Sequence, residues 1–184
     1  MITIKQATIL DSGTLSKLAI TIYQENYLYL WHEGGADWYM HEYAYAEDKI
    51  REELSDQNTA YYIVQEDAEP VGYLKLVLAG KIAGYDHSEA LEIERIYLLH
   101  KMKGRGLGKA MMDHALALAK SMNKKILFLK AMDSSLDAIK FYQKMGYEIS
   151  DTFSLPIPTF LLMKETYRGM VVLTKKIAAK NETL

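Results

Sequence analysis

The chain has 184 residues, 49% of them hydrophobic and 25% charged, the make-up of one folded domain. A formal net charge of −2 gives no basic footprint for nucleic acid, and the absence of cysteine excludes disulfides, thiol nucleophiles and Cys-ligated zinc. No apolar run approaches membrane-spanning length, and the opening Met-Ile-Thr-Ile-Lys-Gln lacks the apolar stretch of a signal peptide, so the expected setting is the cytoplasm, away from membranes.

In chain order, Ile2, Ile4 and Ala7 predict a short strand. Asp11-Ser12 predicts the cap of a helix whose apolar face carries Leu15, Leu18, Ala19, Ile22 and Tyr23. Gly34-Gly35 breaks the next segment, and a second helix is expected from about Asp37 to Leu54. This region gathers aromatic residues (Tyr23, Tyr27, Tyr29, Trp31, Trp38, Tyr39, Tyr43, Tyr45) and acids from Glu25 to Asp56. Between residues 21 and 60 the only cations are Lys49 and Arg51. Tyr61–Val64, the turn Asp67–Pro70 and Val71–Leu78 predict a hairpin. A loop from Ala79 to Ser88 leads into an apolar central strand over Leu91–Leu99. Gly104, Gly106 and Gly108 follow, and from Leu107 the spacing of Met111, Ala115, Leu118 and Met122 is helical. Ile126–Leu129 suits a buried strand parallel to the central one, joined to it by that helix. Ser134 or Ser135 caps another helix, Ser134-x-x-Asp137 having the form of a capping box, and Gly146 ends it. Tyr147–Phe153, a loop with Pro156 and Pro158, and a last strand over Met170–Ile177 complete one mixed α/β domain. A sequon at Asn181, in the tail of a chain expected in the cytoplasm, carries no expected function.

The stretch from Ala90 to Ala110 carries the most information. A helix that starts at a glycine turn aims free N–H groups and the positive end of its dipole at one spot, which suits phosphate. Lys101, Lys103, Arg105 and Lys109 surround that spot, so a diphosphate is expected there. The spacing is wrong for a P-loop, since three residues separate Gly104 from Gly108 and Ala110 replaces the hydroxyl. It is also wrong for the dinucleotide fingerprint, whose third glycine would fall one residue later.

Lys103-x-x-Gly106-x-Gly108 closely resembles the Gln/Arg-x-x-Gly-x-Gly/Ala motif of the GNAT superfamily of acetyl-CoA-dependent N-acetyltransferases, with Lys103 departing at the first position. Ala138-Ile-Lys-Phe141-Tyr142-Gln-Lys144-Met145-Gly146-Tyr147 resembles that family's Ala-x-x-Phe-Tyr-x-Lys-x-Gly-Phe segment. Leu91–Tyr97 followed by the glycine turn looks like the bacterial spermine/spermidine branch. The resemblance implies a single GNAT domain over 1–184, with a mixed, mostly antiparallel sheet, splayed parallel central strands and flanking helices. Residues 60–177 would form the CoA-binding core and 8–56 a helical acceptor-side region.

The resemblance also implies roles. The diphosphate of acetyl-CoA would sit on N–H groups of Lys103, Gly104, Arg105, Gly106, Leu107, Gly108 and Lys109. The pantetheine arm would run along the central strand at Ile96, Tyr97 and Leu98, the Leu98 N–H being a candidate oxyanion donor. Ser135 stands where many members have an Asn that contacts CoA, and Lys144, in the second motif, is expected to bind CoA as well. Tyr142 would protonate the departing thiolate; its alternative role is that of a core tyrosine beside Phe141. Glu92 is the first choice and Glu94 the second for taking the proton of the amine; a structural ion pair is the competing role. An acidic, tyrosine-rich wall would attract a polyamine or another small cationic amine, against the alternative of a solvated acidic helix face. His32, His41, His87, His100 and His114 lack metal-ligand spacing, so no metal is expected. Protein acetylation and a CoA-binding module without turnover are the competing functions. Family members often pair through C-terminal strands, which leaves a homodimer open.

Overall fold

The computed structural model describes residues 1–178, so the sequon at Asn181 lies outside the described residues. Strand β1 (Ile2–Gln6) pairs antiparallel with β2 (Thr59–Glu66), which turns through Asp67-Ala68 into β3 (Glu69–Val77). Helices α1 (Ser12–Asn26), α2 (Gly35–Trp38) and α3 (Glu47–Ser55) lie between β1 and β2 in the chain. β3 pairs antiparallel with β4 (Ala90–Leu98). After α4 (Leu107–Ser121), β5 (Ile126–Met132) runs parallel to β4. Helix α5 (Leu136–Lys144) leads to β6 (Glu148–Ser154), and β7 (Gly169–Lys176) inserts between β5 and β6. The seven-stranded sheet is thus ordered β1-β2-β3-β4-β5-β7-β6, as the expected mixed fold requires. No helix among the described residues is long and apolar enough to cross a membrane.

Period-two alternation gives each sheet face its own core. One face carries Leu74, Leu76, Leu91, Ile93, Leu127 and Leu129, covered by Met111 and Ala115 of α4 and Ile139 of α5. The other carries Tyr61, Ile63 and Tyr73, covered by Leu15, Ile22 and Tyr23 of α1 and by Ile50 of α3.

The central strands stay together only briefly. β4 and β5 pair from Ala90↔Ile126 to Ile93↔Leu129 and no further. Beyond that point β5 keeps β7 as partner through Met132, and β4 keeps β3 through Leu98. β5 is therefore longer than the Ile126–Leu129 run predicts, because β7 continues to satisfy its backbone. A bulge leaves Glu94 as the extra residue between Ile93 and Arg95 where the strands part.

Two local expectations are corrected. Asp11 stands at the N-cap position of α1, as expected, but its side chain makes no capping bond there; its carboxylate accepts the Thr8 N–H at 2.7 Å and closes a capping box on the preceding turn. The second helix does not run unbroken from Asp37 to Leu54: α2 passes into a π-helical turn, Tyr39–Ala44, and the chain breaks before α3. The extra residue of a wide turn brings Met40, Ala44 and Tyr45 into the core together. The carbonyls freed at its end are satisfied: Ser16 Oγ donates to Tyr45 O at 2.6 Å and Arg95 to Ala44 O at 3.5 Å.

Burial raises the hydroxyl pKa values of Tyr45, Tyr61 and Tyr73 above their usual 10. The neutral forms are favoured in the fold, so this stability is complete below pH 10 and is lost as pH rises past it. Thermal midpoints are expected to hold up to about pH 9 and to fall steeply above about pH 10, with tyrosinate absorbance rising in step with unfolding. Tyrosinate absorbance developing in a protein still folded would contradict this.

Candidate active site

The turn before α4 is built from main chain. Gly104 and Gly106 have φ of +76° and +80°, the left-handed region that glycine enters without strain. A Cβ at either would meet no atom within 4 Å, so the turn faces open space. Lys103 N–H goes to His100 O at 3.2 Å and Ala110 N–H to Gly106 O at 3.1 Å; among the described residues the amides between them, Gly104 to Lys109, donate to no protein acceptor. Free amides at the start of a fifteen-residue helix fit a diphosphate.

The side chains around that spot are placed otherwise than the sequence suggests. Lys103 Nζ donates to Asn26 of α1, Arg105 binds Glu66 with one contact at 3.0 Å, and Lys109 pairs with Asp113 at 2.6 Å. The turn therefore presents its backbone, and three of the four cations around it, Lys103, Arg105 and Lys109, are tethered to the protein. Gly108 is not demanded by space: a Cβ there would sit 3.5 Å from the Phe141 ring, in ordinary contact.

Upstream of the turn, β4 has a free edge. Leu99 N–H donates to Val71 O at 2.9 Å. By alternation the Tyr97 backbone also faces β3, and the Ile96 and Leu98 backbones face the gap that β5 has left. Gly72 lets Leu98 lie close, since a Cβ there would be 2.4 Å from Leu98 Cδ2.

A cavity of about 520 Å³ occupies that gap. Glu92, Glu94, Ile96, Tyr97, Ser135 and Tyr142 all line it, together with Lys130 of β5. Leu98 and Lys144 do not; Lys144 is exposed in the last turn of α5, at the opposite end from Ser135. Ser135 precedes the first turn of α5, its N–H bound to Met132 O at 3.0 Å, and the capping box expected from Ser134 and Asp137 does not form. Burial, and secondarily Tyr27, raises the Tyr142 hydroxyl pKa well above 10, so that hydroxyl keeps its proton.

The far wall is aromatic: Tyr23, Tyr27, Trp31, Tyr39 and Tyr43 from the N-terminal region, with Phe153 and Phe160 from the C-terminal one. The acids of the N-terminal region are absent from it. Glu25 accepts the His100 N–H at 2.8 Å and Glu47 pairs with Arg51 at 2.6 Å, both outside the cavity. The loop after β6 is strapped across one end. Trp31 and Met163 form a bridge, His32 N–H donates to Leu162 O at 2.9 Å, and Lys164 N–H to Leu30 O at 2.9 Å.

Both candidate carboxylates are ion-paired. Glu92 is buried and lies 2.9 Å from Lys130. Glu94, at the bulge, is 2.7 Å from Lys75 and 3.6 Å from Arg95. Glu53 of α3 completes the cluster at 2.8 Å from Lys75 and 3.4 Å from Arg95. Arg95 also donates to the Tyr61 hydroxyl at 2.9 Å and lies over the Tyr45 ring. Burial alone would raise the Glu53 carboxyl pKa; Arg95 and Lys75 together bring it below the usual range. The sequence reading missed Glu53, Lys75 and Lys130; a lysine in the apolar run Val71–Leu78 was the available signal for a buried partner. Among the described residues no group of His, Asp and Glu could hold a metal ion.

Residues 22–147 match the Acetyltransferase (GNAT) family. An uncharacterized N-acetyltransferase of Lactobacillus delbrueckii subsp. lactis is 33% identical over 54% of this chain and 58% of its own length. A peptidyl-lysine N-acetyltransferase of Salmonella typhimurium is 29% identical over 54% and 61%. The chain thus spans about three fifths of the length of these relatives. The PaiA N-acetyltransferase of Thermoplasma acidophilum, solved in complex with coenzyme A, superposes with a TM-score of 0.75 at 19% identity, covering 96% of this chain and 99% of that one. A mutant of the spermidine N-acetyltransferase SpeG from Vibrio cholerae gives 0.67 at 13% identity, covering 95% and 93%. At these identities the structural likeness establishes the fold alone.

Removing Glu53 leaves Lys75, whose side chain is 5% exposed, and Arg95 short of a counter-charge. Glu53→Ala is expected to cost about 3 kcal/mol or more in urea unfolding, while Glu47→Ala, from an exposed pair, costs less than about 1 kcal/mol. Equal midpoints for the two variants would show that the cluster is not load-sharing.

Proposed function

The chain belongs to the acetyltransferase (GNAT) family, and from that premise we propose that it is an acetyl-CoA-dependent N-acetyltransferase acting on a primary amine. The observation that carries the proposal is one continuous run of chain. β4 lines the cavity from Glu92 to Tyr97, exposes backbone toward the gap at Ile96 and Leu98, and leads directly to the free amides of Gly104–Lys109.

Acetyl-CoA supplies the acetyl group as a thioester. On this reading the turn amides hold its diphosphate, the Ile96 and Leu98 backbones take its amide-bearing arm in the manner of an added strand, and the Leu98 N–H donates to the oxyanion. Alkylamines arrive protonated, with pKa near 10.4. Glu92, the buried carboxylate of the cavity, takes that proton directly or through water, with Glu94 second in line. Tyr142 gives its hydroxyl proton to the departing sulfur, and the burial that keeps it protonated suits it to that task.

The acceptor is a small cationic amine, a class that includes polyamines. Aromatic faces attract ammonium groups, and the strapped end of the cleft favours a small molecule over a through-running peptide. A protein lysine is the second reading, which the Salmonella relative's name favours. Pairing of two copies through the exposed edge strand β6 belongs to the same proposal.

Tyr142→Phe is expected to lower kcat about a hundredfold while leaving CoA affinity within about twofold, read by thiol release and calorimetry. With the hydroxyl pKa raised, the parent enzyme should show no loss of rate from Tyr142 ionisation below pH 10. Undiminished turnover in the variant would remove Tyr142 from the chemistry. Gly106→Val places a β-branched residue at φ +80° beside the free amides and is expected to weaken CoA binding at least tenfold. Unchanged affinity would move the diphosphate elsewhere.

A further inference from the structure

The charges of the cavity are already matched. Its lining carboxylates are Glu92 and Glu94, and its lining cations are Arg95 and Lys130. Glu92 is held by Lys130 at 2.9 Å, and Glu94 by Lys75 at 2.7 Å and Arg95 at 3.6 Å. The acids that make the N-terminal region electronegative do not reach the cavity. A second or third ammonium entering with one acceptor would be stripped of water and would meet no free counter-charge.

The remaining lining is apolar and flat. Trp31 and Tyr43 flank Phe160, with centroids 6.5 and 5.6 Å away, the second in an edge-on arrangement. Met132, Met163 and Met170 supply adaptable thioether surface around them. Phe160 is not free to swing out: its loop is fixed by the Trp31–Met163 bridge, and Arg168 holds Met163 O at 2.6 Å and Leu161 O at 3.1 Å. Such a wall binds a hydrophobic or aromatic body; the further ammonium groups of a polycation would find ring faces there but no unpaired carboxylate.

Resting on the proposed acetyl transfer, we infer that the acceptor is a singly charged primary amine with an apolar, preferably aromatic, body, and that Phe160 sets this preference. The amino group lies toward Glu92 and Tyr142, and the body lies against Trp31, Tyr43 and Phe160. The reaction balances: one ammonium proton passes to Glu92 and on to solvent, the N–C bond forms, the C–S bond breaks as Tyr142 gives its proton to sulfur, and the second proton lost by the nitrogen restores Tyr142, leaving an amide, the free thiol and one released proton.

The test is a panel of phenethylamine, hexylamine, cadaverine, spermidine and a lysine peptide, each assayed by thiol release from acetyl-CoA. In parallel, amine binding is titrated by quenching of tryptophan fluorescence, since Trp31 lines the cavity. Phenethylamine is expected to exceed spermidine at least tenfold in kcat/KM, and to quench the fluorescence where spermidine does not. Phe160→Ala is expected to raise the KM for phenethylamine about tenfold or more, with kcat little changed and CoA affinity retained. Spermidine or cadaverine matching phenethylamine would overturn the inference and leave the acetyl-transfer reading standing. Thiol release with no member of the panel, alongside saturable quenching by phenethylamine, would overturn the reading and support the amine site. Neither turnover nor quenching would overturn both.

Discussion

The parting of β4 from β5 after Ile93 and Leu129 governs the rest of this molecule. Strands in a sheet interior normally satisfy their backbone on both sides. Here the Ile96 and Leu98 backbones lose their second neighbour and face the gap between the strands, whose cavity Ile96 lines. An unsatisfied edge inside a fold is tolerable only where water or a ligand can take it up. The same separation creates the cavity and aims its open edge at the glycine turn. One backbone departure therefore supplies a groove, a hydrogen-bonding rail and an anion seat in sequence along the chain.

A polar cluster lies on β3 and β4 where the strands part. Lys75 and Arg95 stand opposite each other in the β3–β4 register, which would be repulsive alone. Glu94, extruded by the bulge, and Glu53, delivered by α3, sit among them and neutralise the pair. Arg95 also receives the Tyr45 ring and Ala44 O, and so ties the π-helical turn to β4. The irregular segment between α2 and α3 is thus the counterpart of the bulge: each departs from regular geometry, and the two departures meet at one guanidinium.

The N-terminal region divides its chemistry by side. Tyr23, Tyr27, Tyr39, Tyr43 and Trp31 make the cavity wall, while the region's acids stay out of the cavity: Glu47 pairs locally, Glu25 takes the His100 N–H and Glu53 joins the Lys75–Arg95 cluster. An amphipathic helix does this whenever ring burial is available, because aromatic area gains most from leaving water while a lone carboxylate loses most. Residues with one address in the chain therefore have two different roles, and composition alone assigns them the same one.

Element order, the hairpin, the parallel crossover and the glycine turn were legible in the residues themselves. Alternation, helical spacing and turn-forming glycines act over a few neighbours; Glu92, Ile96, Ser135 and Tyr142 were expected from the family resemblance, and all four line one cavity. Three things were decided only in three dimensions. Three of the cations around Gly106, Lys103, Arg105 and Lys109, are drawn off by Asn26, Glu66 and Asp113, partners that lie as far as 77 residues away in the chain. The second helix breaks, and Tyr45 lies beneath Arg95 and not on a continuous spiral. The cavity is neutral because Lys75, Lys130 and Arg95 come to the carboxylates from neighbouring strand positions. Short-range sterics write themselves into spacing; the pairing of charges depends on which strands become neighbours, and that is settled only when the sheet closes.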